Sequence, residues 1–292
     1  MANWRTTRLM LLLAALLACG CSPWLRPPES DKGLPMPLMS TETVVLEVAF
    51  VHLTPEDHAV EAATWRQLDE QALPIELRMQ LAGNGIRGGV AGSQLPQELR
   101  DLAERTSREL SQAPAGDDVT TAETASLARN RRMQVRAGRR GKIVVSAVLP
   151  NISVLAKDEQ GHVQGAAFQD AQCLFSLLAN PGGDGRTTLQ LTPEIEHGEL
   201  KNRWVPVDGA LMNQVGKSRQ VYDQLRIELP LAPGQTLVIG ATDEPSGLGQ
   251  HFFTLKAPTP RRTLLLVRVA QTQQDDLFVK PTELEELTSA TE

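Results

Sequence analysis

Hydrophobic positions change their period part-way along the chain. From Thr43 to Leu53 (TVVLEVAFVHL) nearly every residue is β-branched or aliphatic, and Thr54-Pro55-Glu56-Asp57 stops the run, which predicts a buried strand leading into a helix start. With Thr54 as N-cap, Pro55 takes the first helical position and Asp57 falls in the first turn. Val60, Ala63 or Thr64, and Leu68 then recur at helical spacing between charged residues, predicting a helix over 59–71. A short helix is predicted over 74–82, ended by Gly83-Asn84-Gly85. A glycine-rich strand (IRGGVAG, 86–92) and an amphipathic helix (LPQELRDLAERTSREL, 95–110) come next. Residues 43–112 thus read as a small α+β module.

Over 113–132 Pro, Gly, Asp, Thr and Ala dominate and large apolar residues are few, the composition of a linker. Beyond it the period shortens to two. Short aliphatic or alternating segments at 133–136, 142–149, 173–178, 187–192, 224–231, 236–239 and 263–270 are separated by turn signals such as Gly182-Gly183-Asp184-Gly185 and Pro233-Gly234. In Thr188–Thr192 and Gln224–Leu229 polar and apolar residues alternate, as one-sided burial in an antiparallel sheet requires. No long alternating hairpin with an outward apolar row stands out. The expected fold class is α+β: the small module, then a mainly antiparallel β-domain over 133–272 and an acidic tail over 273–292.

The N-terminus carries an address. Arg5 and Arg8 precede an unbroken apolar run over 9–18 and then Cys-Gly-Cys-Ser-Pro, the order of a secretory signal. Such a run rises about 15 Å as a helix, roughly half of a hydrocarbon core, so residues 1–18 read as a processing signal and not as a membrane span. Leu16-Leu17-Ala18-Cys19 resembles the bacterial lipobox. That resemblance implies a lipid on the Cys19 thiol, with Cys21 as the alternative, and a protein attached to the membrane through its N-terminal lipid. The expected location is the cell envelope, at the outer membrane facing the periplasm. The Pro-rich stretch over 19–42 reads as an extended tether. Losing Arg5 and Arg8 leaves 27 basic against 35 acidic residues, so the formal net charge moves from −6 to −8. That balance offers phosphate backbones no general attraction, and no nucleic-acid partner is expected.

Candidate chemistry is sparse. The chain has no Gly-rich phosphate loop, no His-Glu-x-x-His, no Gly-x-Ser-x-Gly elbow and no Cys-x-x-Cys pair. Cys173 is alone in the body of the chain and reads as a buried, inert thiol; the five histidines are scattered, His52 and His58 being the nearest pair. No catalytic residue, metal site or cofactor is therefore assigned. Glu194 and Glu196 lie on one side of a predicted strand, where a two-carboxylate hydrolase would place its acids and where a solvated face also would. The concentrated basic patch, Arg131, Arg132, Arg136, Arg139 and Arg140, is the candidate interaction surface, for anionic headgroups or the acidic face of a partner. Aromatic residues make up only 4% of the chain, which counts against a sugar-binding platform.

Read in order, several weak motifs of the β-region resemble a shortened secretin homology domain, the barrel-forming part of outer-membrane secretion channels. They are Arg136–Val145 (a basic stretch, then Gly-Lys-Ile-Val-Val), Thr188–Leu200 with its Thr192-Pro193, Pro233–Gly240 (PGQTLVIG), Gly247–Phe253 and the aliphatic run Thr263–Val269. Together they span about half of the chain. Gly240 stands alone where the family has a glycine pair, and no proline ends the last strand. The resemblance implies assembly: a lipid-anchored subunit that forms a homo-oligomer or docks onto an envelope complex. The alternative is a lipid-anchored binding module for a protein or glycan, and the third reading is an envelope hydrolase.

Overall fold

A computed structural model describes residues 43–112, 131–207, 210–255 and 261–273. The signal, the tether with Cys19 and Cys21, the linker up to residue 130 and the tail from residue 274 lie outside the described residues. Along the chain run β1 (Thr43–Leu53), α1 (His58–Gln67), α2 (Ile75–Gly83), β2 (Ile86–Ala91), α3 (Gln97–Gln112), β3 (Arg131–Arg136), β4 (Gly141–Val144), β5 (Leu149–Lys157), β6 (Val163–Pro181) and β7 (Thr187–Val207). Then come β8 (Ala210–Val221), β9 (Ile227–Leu231), β10 (Thr236–Ala241), α4 (Gly247–Phe253), β11 (Thr254–Leu255) and β12 (Arg261–Gln273). The protein is mostly β, and its strand pairs are antiparallel.

The first sheet runs β2-β10-β12-β1-β3, with β11 on β12; the second runs β4-β6-β7-β8, with β5 on β6 and β9 on β7. The expected boundary between 43–112 and 133–272 therefore does not separate two sheets. β1 lies between β12 and β3, and β2 pairs with β10. Apolar periodicity told that β1 would be buried but carried no information on which distant strand completes its ladder.

The inner faces of the two sheets share one core, in which Leu46, Val48 and Phe50 of β1, Leu265 and Val267 of β12 and Ile239 of β10 meet Cys173, Phe175 and Leu177 of β6 and Leu189 and Leu191 of β7. A second cluster lies on the other side of the first sheet, where Trp65 of α1 and Leu99 and Leu102 of α3 cover Val51, Val238, Leu264 and Leu266. Thr64 rather than Ala63 is the buried member of the α1 stripe, its hydroxyl donating to the Val60 carbonyl at 2.9 Å. Glu61 of α1 is buried too and pairs with Arg262 of β12 at 3.1 Å. Burial raises the Glu61 carboxyl above its ordinary value, and the Arg262 charge opposes that rise.

The start of α1 matches the sequence closely. Pro55–Asp57 form a 3-10 turn, and the Asp57 carboxylate accepts from the Thr54 backbone N–H at 2.7 Å and from the Thr54 hydroxyl at 2.8 Å. Two predicted strands are shorter or broken. The run 142–149 divides at Ser146, whose hydroxyl accepts from the Cys173 backbone N–H at 2.9 Å, and the run 224–231 begins as a 3-10 turn over Asp223–Leu225. α4 has no helical stripe in the sequence. It stands because Phe252 and Phe253 pack on Phe175, ring centroids 5.3 and 6.1 Å apart, and because Gly249 N–H donates to the Asn84 carbonyl at 2.9 Å.

Candidate functional site

Two strands outrun the sheet they belong to. β6 has 19 residues and β7 has 21, against the usual five or six; at about 3.3 Å per residue β7 is about 70 Å of extended chain. They pair with each other only over 172–181 and 187–196. Past that point β6 pairs with β5 and β7 pairs with β8, so two hairpins leave the sheet side by side. Each long strand has a left-handed residue where it changes partner: Asp170 (φ 47°) on β6 and Gly198 (φ 73°) on β7. Lys217 of β8 donates to the Asp170 carbonyl at 2.9 Å, and the β7–β8 register slips between His197 and Lys201. Irregularities of this kind bend a strand and re-aim the residues beyond the bend.

The two hairpins differ in what backs them. Ile152, Val154 and Ala156 of β5 are buried in the main core together with Phe252 of α4. The side-chain amide of Asn84 donates to the Lys157 carbonyl at 3.2 Å and accepts from the Lys157 N–H at 2.8 Å, while His251 of α4 donates to the Ser153 carbonyl at 3.0 Å. These bonds close the outer edge of β5. The β7–β8 ribbon has no such support among the described residues. Its Leu200, Trp204, Leu211 and Val215 are 68, 65, 68 and 59% exposed. Cross-strand partners share a face, and the register Asn202↔Val215 and Trp204↔Asn213 puts Trp204 and Val215 in one row, which Leu200 and Leu211 continue by alternation. Among the described residues β8 pairs with β7 alone, and no other described strand covers its outer backbone groups.

This row lies on a long hairpin that does not stand out in the sequence. Asn202, Asn213 and Pro206 interrupt the apolar pattern and hide it from a period-two reading. One signal was there to find: β7 and β8 are joined by Asp208-Gly209, a dipeptide favoured in two-residue hairpins.

The structure divides the basic patch between the two sheets. Arg131, Arg132 and Arg136 lie on β3, at the edge of the first sheet, where Arg132 pairs with Glu47 at 2.8 Å. Arg139 and Arg140 sit in the turn before β4, and Arg140 donates to the Ser176 hydroxyl at 2.7 Å and pairs with Glu194. Lys142 pairs with Glu196, and Arg219 stands 3.8 Å from Glu194. Glu194 and Glu196 do share a face, opposite Leu174 and Gln172, but each is engaged by a cation. Burial raises the Glu194 carboxyl, and Arg140 opposes the shift. The arrangement is an ion-paired surface holding β4 to β7.

Cys173 is fully buried, and its surroundings push the thiol up to about 12. His52 is buried with its backbone N–H on the Thr106 hydroxyl at 3.0 Å, and burial, with the Arg261 charge as a second cause, lowers its imidazole. Among the described residues no cluster of three His, Cys, Asp or Glu side chains is placed to hold a metal ion. Compared with protein-family models, with curated proteins and with solved structures, the chain has no match.

Proposed function

We propose that the protein is a lipid-anchored component of a bacterial cell envelope with an assembly role, and that its β7–β8 ribbon is where one copy meets the next. The observation that carries this reading is the exposed row Leu200, Trp204, Leu211 and Val215 on a ribbon with an open strand edge. A two-stranded ribbon is marginally stable in water without something to cover it, and burying four such side chains contributes on the order of 1.5–3 kcal/mol each. The second hairpin offers a counterpart. Residues 197–221 carry Lys201, Arg203, Lys217 and Arg219 against Glu199 and Asp208, whereas residues 149–171 carry Lys157 against Asp158, Glu159 and Asp170. Leu155 and Val163 of that hairpin are 61 and 57% exposed. A basic apolar ribbon beside an acidic apolar hairpin gives a head-to-tail contact, which closes into a ring or continues as a chain. The order of secretin-like motifs supports the same assembly role, and the lipobox-like Leu16–Cys19 supports the anchor.

Sizing of the detergent-extracted full chain by light scattering tests the assembly: an oligomer is expected, and Trp204→Glu with Leu211→Glu should return it to monomer without loss of secondary structure. A wild-type monomer over the accessible concentration range would sink the reading. Metabolic labelling with a palmitate analogue tests the anchor. Label should vanish in Cys19→Ala, or in Cys21→Ala if that thiol is the acceptor; label that persists in the double variant excludes it.

A further inference from the structure

On the outer face of the first sheet the row Val238–Leu266–Ala49 is apolar and lies in or against the cluster that α1 and α3 cover. Two residues further along the strands the chemistry changes. Thr236, Arg268, Glu47 and Arg132 stand in cross-strand register on β10, β12, β1 and β3, one polar row across four adjacent strands. A cleft of about 360 Å³ opens over this row, bordered by Ala49, Leu95 and Leu266. It is at the small end of ligand-sized sites.

Two guanidinium groups serve one carboxylate there. Glu47 accepts from Arg132 at 2.8 Å and lies 3.8 Å from Arg268. Arg268 Nε and the hydroxyl of Thr236, a residue 1% exposed, are without hydrogen-bond partners. A buried donor without a partner is costly, more so when it is charged, so these two, beside one net positive charge, mark polarity that the chain itself does not satisfy.

We propose that this cleft binds an organic carboxylate: an acid group on a short apolar stem, either a free small acid or an acidic side chain of a peptide. The guanidiniums match a carboxylate in charge and planar geometry. Ala49, Leu95 and Leu266 give the stem an apolar wall, for which an inorganic anion has no use. Glu47 in the floor limits the excess positive charge and disfavours a doubly charged phosphate more than a single carboxylate.

Calorimetric titration of the purified full chain with glutarate, with acetyl-Leu-Glu-Leu-amide and with inorganic phosphate tests this. Binding of at least one acid is expected, weakening with salt, falling tenfold or more in Arg132→Gln and in Arg268→Gln, and tightening several-fold in Glu47→Gln as the repelling charge leaves. Arg136→Gln, outside the cleft on the same strand, should leave it unchanged. Tighter binding of glutarate assigns the site to a free acid, and tighter binding of the peptide assigns it to a protein partner. Phosphate binding tighter than either acid, no binding at all, or affinities indifferent to both Arg268→Gln and Glu47→Gln would overturn the proposal. None of these readouts depends on oligomerisation, so the assembly reading stands or falls separately.

Discussion

At Asp57 one carboxylate holds three things together. It caps α1 through Thr54, and both its oxygens accept from Arg105 of α3, at 2.9 and 2.5 Å. The Arg105 hydrogen bonds are the main cause that lowers its pKa from 3.8 to about 2. A depressed carboxyl contributes stability that is fully present above 3.8 and is lost as the pH falls from there through about 2. Allowing for screening at Arg105, which is 38% exposed, the contribution is about 2 kcal/mol. Asp57→Asn should therefore cost about that much in urea unfolding at neutral pH, and the gap to wild type should close near pH 2. Gly249 gives a sharper prediction. A Cβ there would sit 1.8 Å from the Gly85 carbonyl oxygen, backbone against backbone, so Gly249→Ala should destabilise by about 3 kcal/mol or more and lower the thermal midpoint. The Thr54-Pro55-Asp57 cap was legible because it is local. Arg105 was not, since 48 residues separate it from Asp57 and a charged helix position does not name its partner.

Among the elements, the ones that bury a stripe were readable and the ones held by their surroundings were not. α3 keeps Leu99, Leu102 and Thr106 on its buried side and lies within two residues of its predicted span. α4 contains two glycines in seven residues, a composition that argues against a helix until Phe175 and Asn84 are placed beside it. β8 and the outer halves of β6 and β7 escaped for a related reason: strands without a core on one face show no clean alternation. Because residues 199–202, Trp204, Leu211, Asn213 and Val215 beyond Gly198 are all exposed, replacing 199–216 by a short turn should move the thermal midpoint by no more than a few degrees while abolishing assembly. Trp204 offers a direct report. It is 65% exposed whereas Trp65 is 2% exposed, so its emission should shift to the blue as protein concentration rises, and Trp204→Phe should remove the shift.

In the molecule as a whole, the central strand of the first sheet, β12, comes from the end of the described chain and pairs along its length with β1 from the start. β1 is flanked by β3 on one side and by β12 on the other, from Thr43↔Gln273 to Leu53↔Arg262, and β2 closes the sheet on β10. Unfolding should therefore be a single transition, the same by circular dichroism and by Trp65 fluorescence, and neither 43–112 nor 131–273 should fold when expressed alone. Two independent transitions would contradict the shared sheet. The threading also sets an order in time. Ribosomes make β1 first and β12 last, so the partner that β1 needs along its whole length does not exist until more than two hundred residues later. Until then an apolar strand has the edge that β12 will cover open along its length and must be kept from pairing with other chains. Contacts this distant in sequence also make folding slow, leaving the newly made polypeptide an extended interval in which it is still linear enough to be moved through a narrow passage before it closes.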